Sequence, residues 1–169
     1  MLDIDNLVNK LIQKGLTISA AESFTGGLLA DSFVKVSGAS KTFLGSVVAY
    51  NKDIKYKVLG VSEEILQKYG VISQETALDM AKQAKKLFNS NIGISTTGVA
   101  GPDLQDNRSV GEIYIGLVSD NYEKTFYYKI DSSSEAIKDA PIKNARQFIR
   151  QTGVDKAMEI VYNYISGQN

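Results

Sequence analysis

Ser23 stands in the run Ala21-Glu22-Ser23-Phe24-Thr25-Gly26-Gly27, where a hydroxyl is followed by two glycines that let a substrate approach the backbone closely. A serine becomes a nucleophile only beside a base. The chain has no His and no Cys. Every Ser-His and Cys-His pair is therefore excluded, together with most transition-metal sites, though carboxylate-bound magnesium is not. The base must come from Lys, Tyr, Asp or Glu. One candidate segment is Val48-Ala49-Tyr50-Asn51-Lys52-Asp53-Ile54-Lys55, with Tyr50 at the end of an apolar run and Lys55 at the start of the next element. Each segment also has an ordinary reading. Ser23 or Thr25 can be a helix N-cap, Tyr50 a cover for a sheet edge, and Lys55 one of many solvated lysines.

Two further segments could hold a phosphate. Thr96-Thr97-Gly98-Val99-Ala100-Gly101-Pro102 combines hydroxyls and glycines after a predicted strand. Backbone N–H groups in such a loop can cradle an anion. No Gly-Lys-Ser/Thr follows, so this is not a Walker loop, and a Gly-Pro turn accounts for it equally well. Arg146 and Arg150 are one helical turn apart and share a face. They could clamp a phosphate. A solvated face is the usual reading of such a pair, favoured here for Arg150.

Composition narrows the partners. Lys plus Arg number 19 and Asp plus Glu number 19, so the net charge is zero. That argues against backbone-driven nucleic-acid binding, which depends on neutralising many phosphates. No run reaches the ~18 apolar residues that span a bilayer, and the acid-containing N-terminus is not a signal peptide. The lack of Cys fits a cytoplasmic location.

The elements that must position these residues follow from periodicity. Leu7, Val8, Leu11 and Ile12 predict a helix ending at Gly15, and Thr17 to Ala21 a short strand. Leu28, Leu29 and Phe33 predict the helix after Gly27. Phe43 to Tyr50 is almost continuously apolar and predicts a strand covered on both faces. A short helix with Ile54, Val58 and Leu59 inward is expected next, then one capped by Ser62. A third starts at Ser73, with Ala77, Met80, Ala81, Ala84, Leu87 and Phe88 inward. Ile92 to Thr97 is a predicted strand. Glu112 to Val118 and Lys124 to Ile130 predict a hairpin. The C-terminal helix carries Ala145, Phe148, Ile149, Ala157, Ile160, Val161 and Tyr164, with Gly153 as a kink or break. Helices and strands alternate early and strands pair directly later, as expected of one α/β domain over residues 1–169. The expected architecture is a three-layer α/β/α sandwich around a mixed sheet.

Several motifs in register carry a resemblance. Ala21-Glu22-Ser23 with Thr25-Gly26-Gly27, Gly38-Ala39-Ser40, Phe43, Val48-Ala49-Tyr50-Asn51, Lys55, Leu59-Gly60-Val61, Gly70-Val71-Ile72-Ser73, Thr97-Gly98-Val99-Ala100-Gly101-Pro102 and Val110-Gly111 together resemble the CinA C-terminal domain family. Its best-described activity is nicotinamide-nucleotide amidase. The match runs from about Leu16 to the C-terminal helix and looks like the stand-alone form.

The resemblance implies deamidation of nicotinamide mononucleotide to nicotinate mononucleotide and ammonia, in pyridine-nucleotide salvage. It needs no cofactor and no metal. Ser23 falls on the family's nucleophile, Tyr50 on its assisting tyrosine and Lys55 on its lysine. Thr25, Gly26 and Gly27 are the expected oxyanion-hole segment. Thr97, Gly98, Gly101 and Arg146 are expected to hold the phosphate. For Lys55 to act, its pKa must fall from about 10.4 toward 7 or 8.

The resemblance also suggests a homodimer or larger homo-oligomer, while the zero net charge and the lack of a long apolar run point to neither nucleic acid nor membrane as partner. Departures from the family pattern are Phe24 in place of a common cysteine, and a shorter Asp103–Ser109 loop without its glycine pair and proline. Arg108 replaces a common lysine, Asn144-Ala145-Arg146 replaces Gly-Asp-Arg, and an insertion falls around Ser132 to Ile142. The alternatives are a non-catalytic pyridine-nucleotide sensor and an esterase using the same Ser-Lys pair.

Overall fold

The computed structural model describes residues 3–142 and 144–168. Five strands, β1 (Ile18–Glu22), β2 (Phe43–Val48), β3 (Ile92–Gly98), β4 (Glu112–Val118) and β5 (Glu123–Lys129), form one sheet in the order β2-β1-β3-β4-β5. β2, β1 and β3 run parallel, whereas β4 is antiparallel to β3 and to β5. The helices are α1 (Ile4–Gln13), α2 (Leu28–Val34), α3 (Lys52–Ile54), α4 (Glu63–Tyr69), α5 (Gln74–Phe88) and α6 (Ala145–Ser166).

Side-chain alternation along the strands separates two cores. Ile18 and Ala20 of β1, Ile92 and Ile94 of β3, and Ile113, Ile115 and Leu117 of β4 pack on α1, α2 and α6. On the other face Ala21 and Tyr114 meet Ala77, Met80 and Ala84 of α5, with Leu59 and Leu66 beside them. This is the expected three-layer α/β/α arrangement around a mixed sheet. α5 lies tight against the strands because Gly93, Ser95 and Gly116 leave room. A Cβ on Gly93 would stand 2.1 Å from the Ala81 carbonyl oxygen, and one on Gly116 2.4 Å from that of Ala77.

Five expectations need correction. β2 is an edge strand, with Leu44 42% and Val48 46% exposed, and not a strand covered on both faces. An apolar run reports β propensity but not how many neighbours the strand acquires. Ile54 and Val58 point outward, while Lys55 and Leu59 point in. The turn at Lys55–Leu59 is widened, the Gly60 N–H reaching back five residues to the Lys55 carbonyl, and this shifts the phase of the helix. Ser62 does not cap α4 with its side chain; its own N–H donates to Asp79 Oδ2 at 2.7 Å. α6 runs unbroken through Gly153, whose missing side chain makes room for the ring of Phe24. In α5, Leu87 also faces outward.

Candidate active site

The parallel register brings three chain segments to one edge. Glu22 pairs with Val48 on one side and Thr96 on the other, so Ser23 and Ala49-Tyr50 follow, and Thr97-Gly98 form, the carboxyl ends of adjacent strands. Ligands bind at such ends in α/β sheets. A cleft of about 290 Å³ opens there, lined by Ser23, Tyr50, Gly98, Gly101 and Arg146 among others.

Ser23 is held on the sheet by its N–H, which donates to the Thr96 carbonyl at 2.9 Å. It is not a helix cap. Glu22 does that work from inside the protein: its carboxylate accepts the N–H groups of Gly27 (2.9 Å), Leu29 (3.0 Å) and Ala30 (3.0 Å) and the Ser46 hydroxyl (3.0 Å). A buried carboxylate is tolerable only when so completely bonded, and the start of a helix favours negative charge. Glu22 therefore leaves the Ser23 hydroxyl free for another partner.

That partner is Lys55. Its Nζ lies 2.8 Å from Ser23 Oγ and 2.6 Å from the Ala49 carbonyl oxygen. Lys55 is only 1% exposed. The widened turn after α3 directs it inward. Burial lowers its pKa from 10.5 to about 8, because the charged form loses water, while the Asp106 carboxylate pulls the other way. A neutral amine in this position can donate to Ala49 and accept the serine proton through its lone pair.

The remaining sequence candidates divide. The Tyr50 ring lines the cleft, and its hydroxyl accepts from Arg146 Nη2 at 3.0 Å; neither Ser23 nor Lys55 is its partner. Arg146 also donates to the Gly101 carbonyl. Gly98 and Gly101 line the cleft.

Thr25 and Thr97 do not present hydroxyls to the cleft. Both are buried, Thr25 bonded to the Thr96 hydroxyl at 2.7 Å and Thr97 donating to the Val71 carbonyl at 2.8 Å. The amides of Gly26 and Gly27 are committed to the Ser23 carbonyl and to Glu22, so they do not form an oxyanion hole in this conformation.

Arg150 is also no solvated residue. Its Nε and Nη2 donate to the carbonyls of Phe24 (3.1 Å) and Thr25 (2.7 Å), bracing the turn that follows the serine. Sequence reading missed Glu22 and Arg150 in these roles. The only signal for either was proximity: Glu22 adjoins Ser23, and Arg150 shares a helix face with Arg146.

Residues 4–163 match the family model of the CinA C-terminal domain. The chain belongs to the CinA C-terminal domain family. A Bacillus subtilis (strain 168) protein whose name ties it to competence and damage induction is 47% identical over 126 residues, covering 75% of this chain and 30% of the relative. A CinA-like protein of Fervidobacterium nodosum is 38% identical over 135 residues, covering 79% of this chain and 33% of the relative. The chain thus spans about a third of the length of these curated CinA relatives.

Among solved structures, the competence/damage inducible protein CihA from Agrobacterium tumefaciens superposes with a TM-score of 0.80 at 29% identity, covering 95% of this chain and 94% of that one. A CinA superfamily protein from Enterobacter cloacae shares the fold, with a TM-score of 0.85 at 20% identity over 98% of this chain and 94% of that one. No helix among the described residues is long and apolar enough to cross a membrane.

Proposed function

We propose that this CinA C-terminal domain is a nicotinamide-nucleotide amidase, converting nicotinamide mononucleotide to nicotinate mononucleotide and ammonia with Ser23 as nucleophile and Lys55 as base. The observation that carries the reading is the buried 2.8 Å contact between Lys55 Nζ and Ser23 Oγ at the floor of the cleft, with the lysine pKa lowered to about 8. A solvated lysine would hold its proton at neutral pH; burial brings the free amine of Lys55 much closer to reach. Ser-Lys pairs replace Ser-His on unrelated folds.

In this mechanism neutral Lys55 takes the Ser23 proton as Oγ attacks the carboxamide carbon. The resulting ammonium returns that proton to the departing nitrogen, which leaves as ammonia. Water then attacks the acyl-serine with Lys55 accepting its proton; the acyl–Oγ bond breaks, the ammonium returns that proton to Ser23 Oγ, and the carboxylate product departs. Arg146, oriented by Tyr50 and the Gly101 carbonyl, supplies a fixed cation for the phosphate. Tyr50 thus acts through Arg146 and does not relay the proton. Glu22 and Arg150 hold the serine-bearing turn from its amide and carbonyl sides.

Ammonia release from nicotinamide mononucleotide, measured on the native chain and on Ser23→Ala, tests the reading. Release by the native chain and none by Ser23→Ala is expected. Equal release by both removes Ser23 from its role. Nucleotide binding without any ammonia from the native chain favours the sensor alternative.

A further inference from the structure

Among the described residues that line the cleft, two side chains are ionised: Arg146 and Asp103. Lys55 lies beneath Ser23 and out of water. Arg146 suits a phosphate, but a carboxylate in the same cleft repels one, so Asp103 needs a different account. It is exposed, and no hydrogen bond or ion pair engages it among the described residues.

The loop that carries Asp103 is nevertheless anchored. Arg146 bonds the Gly101 carbonyl, and Asp106 Oδ2 accepts the Val71 N–H at 3.1 Å. Gln105 and Arg108 exchange backbone hydrogen bonds of 3.3 and 2.8 Å. Asp103 is thus an unpaired anion on a braced segment, facing the space where Ser23 must meet its substrate.

We propose that Asp103 is a specificity-determining residue that recognises a positively charged ring, so that the cleft selects zwitterionic pyridinium nucleotides. This rests on the amidase reading above. An oxidised nicotinamide ring carries a cationic nitrogen, and its phosphate carries negative charge. One carboxylate and one guanidinium in a single cleft complement that pattern and impose a direction on the ligand. The reduced, dihydropyridine form of the same nucleotide has the same phosphate and carboxamide and nearly the same size, but a neutral ring. Asp103 discriminates between these two. Because the carboxylate is exposed, the discrimination is modest and weakens with salt.

The experiment compares kcat/KM for ammonia release from nicotinamide mononucleotide and from its reduced form, on the native chain, Asp103→Asn and Asp103→Glu. Intrinsic reactivity of the two rings differs, so the change in their ratio is what reads Asp103. In Asp103→Asn the preference for the oxidised nucleotide is expected to fall about fivefold, through loss on that substrate alone. Asp103→Glu is expected to retain it, and 0.5 M salt (on the order of a 4 Å screening length) to shrink the difference. An unchanged ratio in Asp103→Asn, or an equal loss on both substrates, overturns the proposal and leaves the amidase reading standing. Absence of ammonia from either nucleotide with the native chain overturns both. Direct titration of the two nucleotides into Ser23→Ala must show the same selectivity in Kd; equal effects of Asp103→Asn on both affinities also overturn it.

Discussion

Lys55 Nζ and Ser23 Oγ are 2.8 Å apart across 32 residues of sequence, in a place from which water is almost wholly excluded. Two strand ends and one widened helical turn set that distance. The pair implies that removing the amine without altering the floor of the cleft should remove catalysis. Lys55→Met is expected to lower kcat by roughly a hundredfold to ten-thousandfold, the range that a positioned general base contributes. Native-like circular dichroism of the variant would separate this from unfolding.

The pH dependence follows from the same lysine. In the proposed mechanism the active form is the neutral amine, so kcat/KM should rise with pH and level off above a midpoint near 8. A flat profile from pH 6 to 9 would remove Lys55 as the base.

Stability should move with pH as well. The folded pKa is about 8 and the ordinary value 10.5, so between these the unfolded chain binds the extra proton. Stability therefore rises with pH across that window, by about 3 kcal/mol in total, and is lowest below it, where both states are charged. Urea unfolding of the native chain and Lys55→Met at pH 7 and pH 10 should show this rise in the former and a smaller one in the latter.

Glu22 accepts four hydrogen bonds, and all four come from donors. Glu22→Gln replaces one acceptor by an NH2 group that faces donors. A loss of about 2–4 kcal/mol is expected, since a buried charge-assisted network is broken and donors are left unpaired. Chemical denaturation measures it. Ammonia release should fall too, because the serine-bearing turn loses its anchor.

Gly153 faces the Phe24 ring so closely that a Cβ would stand 2.5 Å from Cζ. Gly153→Ala gains roughly 1 kcal/mol of helix propensity but overpacks the contact, at a cost of about 1–3 kcal/mol. Activity should fall because the ring must move and Ser23 precedes it in the chain. Phe24→Cys, which shortens the side chain, should restore activity to the Gly153→Ala background.

Much of the fold was legible. The β4–β5 hairpin followed from two strand-length runs around Ser119-Asp120-Asn121, and the sandwich from the order of helices and strands. The edge position of β2 was not, because the run Phe43–Tyr50 records propensity without naming neighbours. Proximity of Ser23 and Lys55 was implied by resemblance and not by spacing. The buried hydroxyl partners of Thr25 and Thr97 were not legible either, because a hydroxyl beside glycine looks the same whether it meets a ligand or a buried protein group. Glu22 was hidden for the opposite reason: a charged residue in a short strand gives no hint that four donors converge on it. The sequence likewise gives Arg150 no mark to distinguish bracing carbonyls from facing water.

The widened turn at Lys55–Leu59 has an evolutionary corollary. Chain length, as much as residue type, encodes the amine's direction. Deleting the exposed Lys57 would restore ordinary α spacing and swing one flank by about 100° against the other. Ser23, Tyr50, Lys55 and Arg146 would all be retained while the Lys55 amine turned away from the serine. The proposed hydrolysis would thus be switched off in a descendant by a single-codon deletion that leaves each diagnostic motif intact.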